Sequence, residues 1–138
     1  MLERVAAVIL ILLAGALVYK GFSALLVNRA RKRVIDDPLL QTLKPNTPAI
    51  VYFTTPMCIP CRTQQQPALA RLEAEMGEAV QIIKVDATEN PETADRWGVF
   101  SVPTTFILNG AGQPQQVNYG VADVTKLRHQ LERVTVNL

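Results

Sequence analysis

Cys58 and Cys61 are the only cysteines in a chain of 138 residues, and only Ile59 and Pro60 separate them. Two thiols at this spacing can bind zinc, close a small structural bridge, or exchange disulfides. A structural zinc takes four ligands. Beyond the pair, the one obvious nitrogen donor is His129, in a segment patterned as the last helix. A structural bridge over so short a loop restrains almost no chain, because the stabilisation grows with loop length. Both alternatives stay open but are disfavoured. Exchange needs a thiolate and a second thiol within reach of it. The apolar, β-rich run Ala49-Ile50-Val51-Tyr52-Phe53-Thr54 precedes the pair, and helical periodicity follows. That order places the first sulfur at a helix N-terminus, where free backbone N–H groups and the helix dipole favour the thiolate. The chemistry expected is thiol–disulfide exchange.

The flanking side chains add less. Pro60 fits the first turn of a helix, where its missing N–H has no partner to lose. It also leaves fewer donors for the thiolate, which favours the disulfide and a more reducing couple. Arg62 sits where it can assist a thiolate, though a surface side chain at a helix start is the plainer assignment. Trp97 reads as core, Asp86 as a solvated or capping residue at a strand end, and His129 as a surface residue. Gln64, Gln65 and Gln66 form a short polar face with no assignable chemistry.

The elements that must hold the pair alternate in type. After the strand at 49–54, apolar residues at Leu69, Leu72 and Met76 predict a helix from about Ile59 to Met76, with Gly77 as its C-cap. Residues 80–86 read as a second strand, and Asn90-Pro91 as the cap of a short helix through Trp97. Thr104–Leu108 and Gln115–Tyr119 read as strands joined by Asn109-Gly110-Ala111-Gly112. Asp123 is the expected N-cap of a last helix carrying Val124, Leu127 and Leu131 on one face. Strand–helix–strand, then hairpin and helix, implies a parallel pair extended by antiparallel strands in one mixed sheet.

Before this globular part, Val5 to Val27 is apolar apart from Tyr19, Lys20 and Ser23. A helix of that length spans a hydrocarbon core of about 30 Å. Ala14-Gly15-Ala16 fits a cleavage site of a signal peptide, but the apolar run continues past it, so a retained single-pass anchor is expected. Residues 1–35 hold Arg4, Lys20, Arg29, Arg31, Lys32 and Arg33 against Glu3 alone, while the remainder is mildly acidic. The basic excess belongs to the membrane junction, with anionic lipid as its natural neighbour, and gives no reason to expect nucleic acid. Its position favours the cytoplasmic side for the downstream domain. Asp36-Asp37-Pro38 should break the helix, leaving 1–35 as anchor and basic segment, 36–47 as a linker with one turn at Leu39 to Leu43, and 48–138 as the domain.

Cys58-Ile59-Pro60-Cys61 at the first strand–helix junction, with Ser101-Val102-Pro103-Thr104 before the third strand, resembles the thioredoxin family. Asp86, Asn90-Pro91, Trp97-Gly98-Val99 and Gly120 extend the resemblance over roughly residues 48–135. It implies an α/β, thioredoxin-like three-layer sandwich around a mixed four-stranded sheet, preceded here by a single transmembrane helix. It further implies that Cys58 attacks and Cys61 resolves, that Pro103 is cis and faces the pair, and that the backbone of Val102 pairs with an extended substrate. Met57, Ile59 and Pro60 complete the expected substrate-binding surface, with no metal and no cofactor. The partners implied are protein disulfides and an electron donor, either a thioredoxin reductase or a membrane thiol carrier.

Three departures from the family pattern stand out. Met57 and Ile59 replace an aromatic and a glycine around the nucleophile. Tyr52, six residues before Cys58, stands where many members bury an aspartate that helps to deprotonate the resolving thiol. Pro67, the usual helix-kinking proline, falls one residue late. The function expected is a membrane-tethered thiol–disulfide oxidoreductase acting on protein disulfides. The alternative is a tethered thioredoxin-like binding module with little turnover, as Tyr52 and Ile59 would suit.

Overall fold

The computed structural model describes residues 1–34 and 37–136, without the side chains of 26, 27 and 29–34. The expectations attached to Asp36 and to the side chains of Arg29, Arg31, Lys32 and Arg33 therefore lie outside the described residues. Helix α1 runs Leu2–Val34. The stretch Leu2–Leu25 within it, 24 residues, is long and apolar enough to cross a membrane, and it lies near the N-terminus as a signal sequence would.

Four strands make the sheet: β1 (Ala49–Thr54), β2 (Gln81–Asp86), β3 (Thr104–Leu108) and β4 (Pro114–Tyr119). Their order is β2-β1-β3-β4, with β1 parallel to β2 and antiparallel to β3, and β3 antiparallel to β4. Every residue of β1 is buried, as an unbroken apolar run in a central strand requires. The strand period of two then divides its side chains between two cores. Ile50 and Tyr52 face α2 (Gln66–Met76) and α4 (Val124–Val136), together with Leu69, Leu72, Leu127 and Leu131. Ala49, Val51 and Phe53 face α3 (Pro91–Trp97), together with Trp97 and Phe106. The result is the expected three layers.

The helix expected from Ile59 to Met76 is not uniformly α. A π-helical stretch occupies Cys61–Gln65, and the Gln66 amide donates to the Cys61 carbonyl, five residues back. One residue is absorbed in this wider turn before α2 begins with Pro67 in its first turn. The late proline and the π stretch are thus a single feature: the extra residue lengthens the turn and leaves Leu69 and Leu72 in the core. Gly77 ends α2 at φ 56°, a conformation that costs glycine little.

Two caps resolve differently from one another. Asp123 does cap α4, its carboxylate accepting the Lys126 amide at 2.8 Å. Asn90 precedes α3 without a side-chain cap bond; its side-chain amide donates to the Asp86 carbonyl at 3.1 Å instead. Near the start of the domain, Asp37 caps a 3-10 turn, Pro38–Thr42, through the Leu39 amide. Leu39, Leu40 and Leu43 of this stretch pack on the α3-side core. Asp37 itself is buried and accepts from Arg96 Nε at 2.9 Å and Trp97 Nε1 at 3.1 Å. Burial opposes its charge, but the Leu39 amide, the Arg96 guanidinium and the Trp97 indole N–H hold the carboxyl below the usual carboxylate range.

Candidate active site at the first strand–helix junction

β1 delivers the chain to the cysteines through the turn Thr55-Pro56-Met57, closed by the Cys58 amide donating to the Thr55 carbonyl at 3.2 Å. Cys58 and Cys61 are joined as a disulfide with their Cα atoms 5.3 Å apart. The Cys61 amide donates to Cys58 Sγ at 3.2 Å, and the Arg62 amide to the Cys58 carbonyl at 3.3 Å. Cys58 therefore occupies the capping place of the helical segment, where its sulfur meets a free backbone donor. Cys61 lies fully inside at 0 % exposure, whereas Cys58 retains 8 %.

The second segment of the site arrives from β3. The Val102–Pro103 peptide is cis, and Val102 packs against the core cluster that contains both cysteines. Pro103 is buried, and its carbonyl accepts the Gly120 amide at 2.9 Å, tying this loop to the end of β4. Around the sulfurs the surface is apolar: Met57 is 87 % exposed and Ile59 63 %. Pro60 is also exposed. Phe100, two residues before Val102, is 90 % exposed, and the sequence reading passed over it. Its signal was an aromatic beside the Ser101-Val102-Pro103 motif, in a stretch where neither strand nor helix needed it.

A polar rim lies at the β2 side of the junction, lined by Arg62, Gln66, Lys84 and Asp86. The Thr88 side chain holds the Asp86 carboxyl below its usual range against partial desolvation, helped by backbone amides and by Lys84. Asp86 is thus tied locally rather than aimed at the sulfurs. Trp97 is core, at 3 % exposure, packed tilted against Phe53 and edge-on against Phe106 at ring-centroid distances of 5.9 and 4.9 Å. His129 is exposed on α4 beside Glu132 and stands apart from the cysteine cluster.

Gln65 differs most from its expected place on a polar face. It is fully buried, its side chain donating to the Ala122 carbonyl at 3.1 Å and accepting the Ala122 amide at 2.9 Å. The spacing Cys61, Gln65, Leu69, Leu72 is one helical face, so the stripe read two residues further back would have placed Gln65 inside. A second buried polar group crosses the sheet. Asn118 donates to Thr105 Oγ1 at 3.1 Å and exchanges two bonds of 2.8 Å with Gln130 of α4. Tyr52 lies beside Thr105 in register. It is 1 % exposed, and its hydroxyl has no hydrogen-bond partner among the described residues.

A mixed sheet of this order, a Cys-x-x-Cys disulfide at the end of its first strand, and a cis-proline loop beside it define a thiol–disulfide exchange site. Comparison with known proteins agrees. The thioredoxin family model matches residues 33–133. Thioredoxin 1 of a Nostoc species is 31 % identical over 105 residues, covering 75 % of this chain and 96 % of that protein. Thioredoxin of Rhodospirillum rubrum is 37 % identical over 90 residues, covering 65 % and 85 %. Among solved structures, chloroplastic thioredoxin z superposes with a TM-score of 0.60 at 25 % identity, covering 66 % of this chain and 80 % of that one. The chain belongs to the thioredoxin family. It is a thiol–disulfide oxidoreductase, and the family implies protein disulfides as substrates and a reductase as electron source.

Proposed function

We propose that Cys58 is the attacking thiol and Cys61 the resolving thiol of a protein-disulfide reductase held at a membrane surface by α1. The observation that carries this assignment is the asymmetry of the pair. Cys58 has the residual exposure and the capping amide at its sulfur, while Cys61 is sealed one turn behind it. In the dithiol form, Cys58 thiolate attacks a substrate disulfide, one substrate thiol leaves, and Cys61 then attacks Cys58 Sγ. The second substrate thiol is released, and the two electrons that reduce the substrate disulfide to two thiols are those the protein dithiol gives up as Cys58–Cys61 closes. Met57, Ile59, Pro60, Val102 and Pro103 form the docking surface, with Phe100 extending it, and extended apolar segments of unfolded or partly unfolded proteins suit such a surface.

The basic residues after the apolar stretch support a cytoplasmic placement of the domain, with a thioredoxin reductase or a membrane thiol carrier as donor. Insulin-disulfide reduction tests the chemistry: Cys58→Ser abolishes it, and Cys61→Ser accumulates a mixed disulfide through Cys58. The converse pattern would reverse the two roles. Protease added outside right-side-out vesicles leaves the domain intact in the cytoplasmic placement and digests it in the opposite one.

A further inference from the structure

The Tyr52 hydroxyl is a buried polar group with nothing to bond in the oxidised protein. Such groups are rare because desolvating a donor without a partner is unfavourable. Its surroundings narrow the explanation. Tyr52 shares its hydrophobic core cluster with Cys58 and Cys61, and the polar side chains buried on the same face, Gln65, Thr105, Asn118 and Gln130, bond to one another or to the Ala122 backbone. Its cross-strand neighbour Thr105 accepts from Asn118 and makes no bond to the Tyr52 hydroxyl. Among the described residues, the hydrogen bond to a cysteine sulfur is the one from the Cys61 amide to Cys58. Cys61 Sγ thus has no donor in the oxidised form, and a disulfide sulfur needs none. A buried thiolate does, because an ionised sulfur in an apolar core is strongly disfavoured without a hydrogen bond.

We propose that Tyr52 is a donor held in reserve for the Cys61 sulfur: its hydroxyl hydrogen-bonds that sulfur only once the Cys58–Cys61 bond is open. The tyrosine keeps its proton throughout. In the mixed disulfide it stabilises the Cys61 thiolate that attacks Cys58 Sγ; the Cys58–substrate bond breaks, and the departing substrate thiolate takes a proton from water. The resolving thiol is thereby served by a donor instead of the acidic side chain that many relatives of this fold bury at the position. Lys84, paired with Tyr52 across the sheet, and Arg62, next to Cys61, are both exposed. Neither supplies the missing buried donor.

The consequence is thermodynamic. The hydroxyl is unpaired in the oxidised protein and paired in the reduced one, so it biases the couple towards the dithiol. Tyr52→Phe should leave the oxidised protein as stable as before or more so, and should make the reduced protein less stable. In equilibrium with glutathione, the variant should lie further towards the disulfide. The gap should widen as the pH is raised and Cys61 ionises, approaching about tenfold, or about 30 mV. Release of substrate from the mixed disulfide should slow, with the first attack by Cys58 unchanged. A gap that is absent, or that does not change with pH, overturns the proposal, since a purely packing role would shift stability without following thiol ionisation. Should the variant fold poorly, the wild-type chain gives a second measurement. The Tyr52 Cζ resonance, read by NMR with labelled tyrosine, moves between the oxidised and reduced forms if the hydroxyl gains a partner. An identical resonance in both forms also overturns it.

Discussion

The two faces of the sheet differ in how they treat buried polarity. On the α3 side, the one buried charge among the described residues, Asp37, receives three donors, from Leu39, Arg96 and Trp97. Around it, Phe53, Trp97 and Phe106 meet in tilted and edge-to-face contacts with centroids 4.9 to 5.9 Å apart. On the α2/α4 side the core holds a disulfide, a glutamine bonded to the backbone across the layer, and a tyrosine hydroxyl left unpaired. One face is closed in its hydrogen bonding and serves the fold. The other is incomplete where the chemistry happens, as a site that must accommodate two redox states is expected to be.

The comparison predicts that substitutions on the α3 face change stability and leave the exchange rate per folded molecule alone. Trp97→Ala removes the centre of the aromatic group and one Asp37 donor, and should cost about 3–5 kcal/mol in urea unfolding. Insulin reduction, normalised to the folded fraction, should match wild type. A fall in that normalised rate would show that the two faces are coupled through the Val102 loop, which packs on both cores.

On the other face, stability and chemistry should move together. Gln65→Ala leaves the Ala122 amide and carbonyl buried without partners, at a cost of about 2 kcal/mol. Because Gln65 ends the π stretch that begins at Cys61, the change should also shift the glutathione equilibrium of the cysteine pair. Gln65→Glu, read at low pH where the added carboxyl is protonated, should restore much of both. Loss of stability with an unmoved redox equilibrium would make Gln65 purely a clamp between layers.

The contrast also explains what could be read from the chain. The buried β1 run, the cysteine junction, the Asn109-Gly110 hairpin and the Asp123 cap are local patterns, and all four appear as expected. The edge strand β4 inverts its pattern: Val117 and Tyr119 point outward while Asn118 is buried. A polar residue is tolerated there because Thr105 and Gln130 satisfy it, and those partners lie 13 and 12 residues away. Asp37 meets Trp97 across 60 residues and Gln65 meets Ala122 across 57. No short-range periodicity records such pairings. Gln65 and Gln130 were nevertheless findable, since each sits in phase with the apolar stripe of its own helix.

The smallest effect expected separates the faces by pH. Asp37 is the carboxylate buried on the α3 side, and none is among the buried residues described on the α2/α4 side. Its folded carboxyl titrates below the unfolded value of about 3.8. Its contribution is therefore complete above that value and is lost as pH falls through the lower, folded one. Asp37→Asn keeps the shape and one acceptor oxygen, but it removes the charge and turns the other accepting oxygen into an amide donor; it should cost about 1 kcal/mol near pH 7, since Arg96 is partly exposed and solvent screens the pair. The difference between wild type and variant should hold from about pH 7 down to about pH 5 and then shrink as the medium falls through the lowered, folded value. Urea unfolding across that range measures it directly. A difference that persists undiminished in acid would mean that Asp37 acts through shape and neutral hydrogen bonds, and that the closed face does not depend on its one charge.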